Sequence, residues 1–155
     1  MNRPLNHPDV HFPPPVLYVL MMGLGYGLQR FIPLPELLLP YHGGLGIVSI
    51  AIGFFIIIWS VVEFSHHKTT ILPHKASSAI IRSGPFKYSR NPIYVSFSII
   101  QLGVAITLAN IWITLLLVPV ILIMKTFVIK REENFLAQEF GQAYTDYQKQ
   151  VRRWV

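Results

Sequence analysis

Four apolar runs, at about 16–32, 44–64, 93–109 and 111–129, leave this chain little choice of fold. Each is long enough to cross, or nearly cross, ~30 Å of hydrocarbon, which takes about 20 helical residues. Backbone groups in lipid find no water, so such segments close their hydrogen bonds internally, as helices. Composition agrees with this: 52% of the 155 residues are hydrophobic and only 13% are charged, about half the charged share of a soluble domain. The expectation is an all-α, polytopic membrane protein of one domain, 1–155. It has about four transmembrane helices and a cytoplasmic amphipathic C-terminal helix. Asn110 alone separates the third run from the fourth, which predicts a tight helical hairpin.

Charge gives the sidedness. Between the first two runs lie Glu36 and His42, with no cation beyond Arg30 at the edge of the span. Between the second and third lie Lys68, Lys75, Arg82, Lys87 and Arg90, and the tail holds Lys130, Arg131, Lys149, Arg152 and Arg153. By the positive-inside rule, both termini and the 65–92 loop face the cytoplasm. The net charge of +6 is gathered beside apolar runs, so anionic lipid headgroups are the expected partners and nucleic acid is not. The absence of cysteine removes disulfides, thiolate metal sites and cysteine nucleophiles together. Pro4, Pro8, Pro13, Pro14 and Pro15, with no small-residue cleavage site, argue against a cleavable signal peptide. Tyr18, Trp59, Trp112 and Trp154 read mostly as interfacial anchors.

Two patterns have a plain and a functional reading. Gly23, Gly25 and Gly27 could open a dinucleotide loop, but no strand precedes them and no acidic residue follows at the right distance. Gly23 and Gly27 are instead spaced for close helix contact in lipid. His66 and His67, beside Glu63 and near His74, could hold a metal. Adjacent histidines point to different helix faces and no further ligand spacing follows, so no metal is expected.

The tail repeats Leu136, Phe140, Ala143, Tyr144, Tyr147 and Val151 at three- and four-residue spacing, an apolar-aromatic stripe on a helix. Gly141 costs about 1 kcal/mol in a helix interior relative to Ala, which predicts a bend or a break there. Such a helix either lies on the membrane or packs as a lid over a site.

A site is suggested by two polar clusters at the same side of the hairpin. One is Arg82 to Tyr94; the other is Lys130-Arg131-Glu132-Glu133. Taken singly, each residue has a plain reading. Glu132 and Glu133 balance Lys130 and Arg131, Arg90 snorkels to phosphates, Asn91 caps the third span with Pro92 at its first position, and Ser83-Gly84-Pro85 is a turn.

Together they resemble a family. Gly84-Pro85-Phe86-Lys87-Tyr88-Ser89-Arg90-Asn91-Pro92-Ile93-Tyr94, then a hairpin, then Glu132-Glu133 followed by Leu136, Phe140-Gly141, Tyr144, Tyr147 and Val151, resembles the isoprenylcysteine carboxyl methyltransferases. Their wider relatives include membrane phospholipid methyltransferases. The likeness covers about Thr70 to Trp154.

It implies an integral-membrane methyltransferase that uses S-adenosyl-L-methionine without a Rossmann domain. By the resemblance, the cofactor lies along Ser78, Ala79, Ile80 and Ile81, then Phe86, then Arg90, Asn91, Pro92, Ile93 and Tyr94. The Glu132-Glu133 pair completes the cradle, with Glu133 closing it. Arg90 suits the cofactor carboxylate. A Glu suits its ammonium or ribose hydroxyls, and Phe86, Tyr88 or Tyr94 suits the sulfonium. Glu133 and Arg131 are the catalytic candidates. An arginine near the glutamate pair orients the acceptor in the family, and Arg131 is the nearest candidate here, with Lys130 next.

Asn91 stands where the eukaryotic members have His, so a proton-shuttling ring is missing. Ser78 also stands at a position often held by His. These departures, and the small number of spans, fit a small prokaryotic branch in the cell membrane. The acceptor is then a lipophilic or lipidated acid, amine or alcohol entering from the bilayer. Isoprenylcysteine carboxylate-like O-methylation is favoured over phospholipid or amine N-methylation. The competing classes are a non-catalytic membrane assembly protein that keeps the fold and a nicotinamide-dependent membrane reductase.

Overall fold

The computed structural model of the chain describes residues 13–36, 41–66 and 80–155, and among these it is all helix and turn. Ser78 and Ala79 of the expected cradle, with His67 and His74, lie outside the described residues. Helix α1 spans Pro14–Phe31 and α2 spans His42–His66. A short 3-10 turn at Gly84–Lys87 leads into α3, Pro92–Thr107. Beyond the hairpin come α4 (Ile111–Leu115), α5 (Leu117–Ile123), a π-helical turn at Met124–Ile129, and α6 (Lys130–Phe140). Together these form one rod, Ile111–Phe140, of 30 residues. Helix α7, Gln142–Gln150, closes the chain.

Sequence chemistry sets the boundaries. Pro14 and Pro92 stand in the first turns of α1 and α3, where a missing N–H costs nothing. Asn110 caps the rod by accepting from the Ile113 amide at 3.1 Å. Pro119 has no N–H to offer residue 115, and the rod loosens at Leu116, between α4 and α5. Gly141 has φ of +52° and breaks the tail into α6 and α7, as expected.

Among the described residues two helices, α2 and the rod, are long and apolar enough to cross a membrane, with only 17% and 22% of their most apolar windows buried. A soluble protein's core helix would be mostly buried, whereas these helices present Ile47, Phe54, Phe55, Ile58, Val118 and Phe127 outward. An apolar belt of that kind fits lipid. Helix α3, with 16 residues, is shorter than the ~20 expected for a full crossing.

The helices pack in two different ways. Helices α2 and α3 meet along small residues. A Cβ at Gly46 would fall 2.6 Å from the Gly103 carbonyl, one at Gly103 2.8 Å from the Gly46 carbonyl, and one at Gly53 3.0 Å from the Ser96 carbonyl. The close contact expected at Gly23 and Gly27 is not made within the described residues, where a Cβ at either meets nothing within 4 Å. Gly25, on the opposite side of α1, makes the close approach, to Ile113 at 2.8 Å.

Helix α1 instead docks on α3 and the rod through a side-chain core. Tyr18, Val120, Met124, Val128 and Ile129 form it, with Phe97 and Trp154 packed against it. Tyr18 is therefore not an interfacial anchor. It is 2% exposed, donates to the Tyr94 carbonyl at 3.3 Å and shares a hydrogen bond with Ser98 at 3.1 Å.

Candidate functional site

The two polar clusters of the sequence meet at one end of the bundle, and a third segment joins them. Residues 81–91 form the turn that enters α3; Glu132 and Glu133 stand in the first turn of α6; residues 151–154 follow α7 and double back across the turn. The Arg90 amide donates to the Arg152 carbonyl at 3.0 Å, and the Asn91 side-chain amide donates to the Arg153 carbonyl at 2.9 Å. Asn91 thus sits at the helix-capping position without capping. Its backbone N–H goes to Ser89 Oγ at 3.1 Å.

Glu133 is the centre. It is 7% exposed and holds two guanidinium groups. Arg90 Nη2 lies 3.0 Å from Oε1. Arg153 is bidentate, with Nε 3.0 Å from Oε1 and Nη2 2.6 Å from Oε2. Paired donors on one carboxylate are strong and directional. Glu132, 100° further round the helix, turns to α3 and accepts from the Tyr94 hydroxyl at 2.7 Å.

Helix α7 packs over the turn as a lid. Tyr144 and Tyr147 are buried, and the Tyr147 hydroxyl donates to the Phe86 carbonyl at 2.7 Å. Burial disfavours phenolate and pushes Tyr147 up to about 12, against the lowering pull of Arg90 and Arg82. Tyr144 is raised as well, by burial and then by the Glu133 charge. The hydrogen bond to Glu133 raises Arg153. Arg82 donates to the Ala143 carbonyl and lies over the Tyr147 ring, 5.8 Å from its centroid.

On the far side of the turn, Ser83 Oγ donates to Glu63 Oε2 at 2.6 Å, and Phe64 meets Phe86 edge-on at 5.4 Å. Gly84 has φ of +55°, and a Cβ there would lie 2.6 Å from the Glu63 side chain. Only glycine fits this corner.

Of the residues expected from the sequence, Arg90, Asn91, Tyr94, Glu132 and Glu133 are brought together, and Phe86 is reached through Tyr147. Pro92 and Ile93 form the first turn of α3, and Ile80 and Ile81 approach the turn, Ile81 buried. Tyr88 is 68% exposed and faces away. Arg131 is half-buried on α6. The sequence reading missed the role of Arg153. Only its place among the tail cations was visible.

The family model for phospholipid methyltransferases matches residues 42–143, which takes in the turn, the hairpin and the glutamate pair. The chain belongs to the phospholipid methyltransferase family. An uncharacterized protein of Haemophilus influenzae is 36% identical over 63 residues, 41% of this chain and 100% of that relative. Among solved structures, this family member is similar to the eukaryotic intramembrane Ras methyltransferase ICMT, isoprenylcysteine carboxyl methyltransferase. The TM-score is 0.55 at 22% identity, over 94% of this chain and 53% of that one. The chain thus has the ICMT fold in about half of that protein's length.

Proposed function

We propose that this chain is an integral-membrane methyltransferase that takes its methyl group from S-adenosyl-L-methionine and passes it to a lipophilic acceptor entering from the bilayer. The observation that carries the reading is Arg90. Its guanidinium is fixed on Glu133, yet its Nε–H is buried without an acceptor among the described residues. A buried donor left open in an otherwise satisfied site points to a missing partner. Two guanidinium groups and two carboxylates within one α3–α6 corner suit a ligand with both a carboxylate and an ammonium.

When bound, S-adenosylmethionine supplies an electrophilic methyl group on a cationic sulfur. The residues do the holding. Arg90 takes the ligand carboxylate and Glu133 its ammonium. Phe86, Asn91, Pro92, Ile93, Tyr94 and Glu132 line the cradle, with Ile80 and Ile81 leading into it. Arg131 orients the acceptor.

Little acid–base help is needed, because an anionic nucleophile and a cationic donor neutralise each other. Positioning and exclusion of water supply most of the rate. The Asn91 amide is occupied by the Arg153 carbonyl, in keeping with a site that shuttles no proton. The reading includes four crossings, with α1 and α3 as the shorter two, and places the site and both termini on the cytoplasmic side by the positive-inside rule.

A carboxylate acceptor of the isoprenylcysteine kind is favoured by the fold. A phospholipid amine is the second reading, favoured by the family match over residues 42–143. Membranes containing the protein, given cofactor labelled in its methyl group, separate the two. An ester releases its label as methanol in mild base, and an N-methyl group keeps it. Transfer no greater than that of Glu133→Ala membranes would contradict the reading.

A further inference from the structure

Both oxygens of Glu133 are occupied, and they are occupied unequally. Arg90 makes one contact, and its side chain is 10% exposed. Arg153 makes two, one of them the shortest in the cluster, and its side chain is 29% exposed. Arg90 is therefore built into the wall, while Arg153 reaches Glu133 from the open side. Its backbone is fixed independently of its side chain. The Arg153 carbonyl accepts from Asn91, the Arg152 carbonyl accepts from the Arg90 amide, and Trp154 is packed on the Tyr18–Ile129 core. The guanidinium can leave Glu133 by side-chain rotation alone, with no unfolding of the tail.

We propose that Arg153 is an affinity-setting residue of the ligand site, an internal cation that holds on Glu133 the place taken by the ammonium of the bound ligand. The proposal rests on the cofactor reading above. A carboxylate offers about four lone-pair sites, and Glu133 already accepts three N–H contacts from two cations, so an incoming ammonium meets a single remaining site beside two positive charges. One of the two arginines must yield, and burial and anchoring select Arg153. The free protein then divides between a latched state, with Arg153 on Glu133, and an open one. Ligand affinity is reduced by the fraction that is open. One consequence follows from the contact: ligands lacking an ammonium gain nothing from opening the latch.

The test uses the full chain in detergent and two probes, S-adenosylhomocysteine and 5′-methylthioadenosine, which lacks the amino-acid end. Arg153→Ala is expected to bind S-adenosylhomocysteine about tenfold more tightly than the wild type and to bind methylthioadenosine unchanged. Arg153→Gln, which keeps most of the side-chain volume, serves if the alanine variant does not fold, with the same expected direction. Lys149→Ala removes one exposed positive charge from the same tail and should alter neither affinity. If the wild type binds S-adenosylhomocysteine and the Arg153 variants bind it equally or less tightly, Arg153 is a ligand-holding or structural residue and the proposal is overturned. Equal tightening toward both probes also overturns it, because the competition would not be for the ammonium. Absence of wild-type binding to either probe removes the cofactor reading itself, and this proposal with it.

Discussion

The seam between α2 and α3 and the corner between α3, α6 and the tail are both tightly closed, by opposite means. The seam is closed by the absence of side chains. Gly46 and Gly103 bring two backbones within reach of each other, and Ser60 and Ser96 turn their hydroxyls back onto their own helices, to Ile56 and Ile93. The corner is closed by polar groups, from the Arg153 guanidinium on Glu133 to the Ser89 hydroxyl on the Arg153 carbonyl, that pair across 20 to 64 residues of sequence. Between apolar helices in lipid, apolar burial gives little drive to associate and close backbone contact takes its place. In the corner, ion pairs and hydrogen bonds can be both specific and exchangeable. The fold is thus held in one place and the proposed ligand site in another.

That separation can be broken most severely at Glu133. Glu133→Ala leaves two guanidinium groups facing each other at a buried position, with a stability cost of about 3 kcal/mol. Binding of S-adenosylhomocysteine should fall by at least about 100-fold. Thermal unfolding in detergent and calorimetry measure the two effects. Gly103→Leu attacks the seam instead. Its Cβ would lie 2.8 Å from the Gly46 carbonyl, a backbone atom that cannot rotate away, so overpacking should cost about 2–3 kcal/mol. Ligand affinity of the folded fraction should stay within about twofold of the wild type. A large loss of affinity there would show that seam and corner are coupled after all.

Smaller substitutions sharpen the contrast. Tyr147→Phe removes the lid's hydrogen bond to the Phe86 carbonyl and should cost about 1 kcal/mol, with a few-fold faster ligand release in stopped-flow dissociation. Gly23→Ala, where the new methyl group meets nothing, should stabilise by about 0.5 kcal/mol, while Gly25→Ala, against Ile113, should destabilise. Equal effects of these two changes on the melting temperature would contradict the packing described for α1.

The helices, the hairpin at Asn110, the break at Gly141 and the pairing of the turn with the glutamates were legible because each has a local cause. An apolar run, a capping side chain, a residue free to take positive φ and a spaced motif are all visible in one dimension. The closest glycine contacts were not. The four-residue spacing of Gly23 and Gly27 draws the eye, but the face a helix presents is set by its neighbours, and Gly25 is the one turned to Ile113. Gly46 works in concert with Gly103, 57 positions on, and Gly53 with Ser96 and Ile100, 43 and 47 positions on. Arg153 was illegible for the same reason. Its partner Glu133 lies 20 positions earlier, and only the reversal of the chain after α7 brings them together. Tyr18 was misplaced because its position near a span end suggested an interface, whereas its hydroxyl is consumed inside the bundle by Tyr94 and Ser98.

The central claim is that the turn at 81–91 and the start of α6 form one ligand site, with Arg90 and Glu133 as its two poles. Calorimetric titration of S-adenosylhomocysteine into the purified protein in detergent tests it most directly, beside Arg90→Ala and Glu133→Ala variants that keep the wild-type helical signal. The account predicts saturable binding to the wild type and none to either variant. No wild-type binding at millimolar ligand, or binding that survives loss of Glu133, would contradict it.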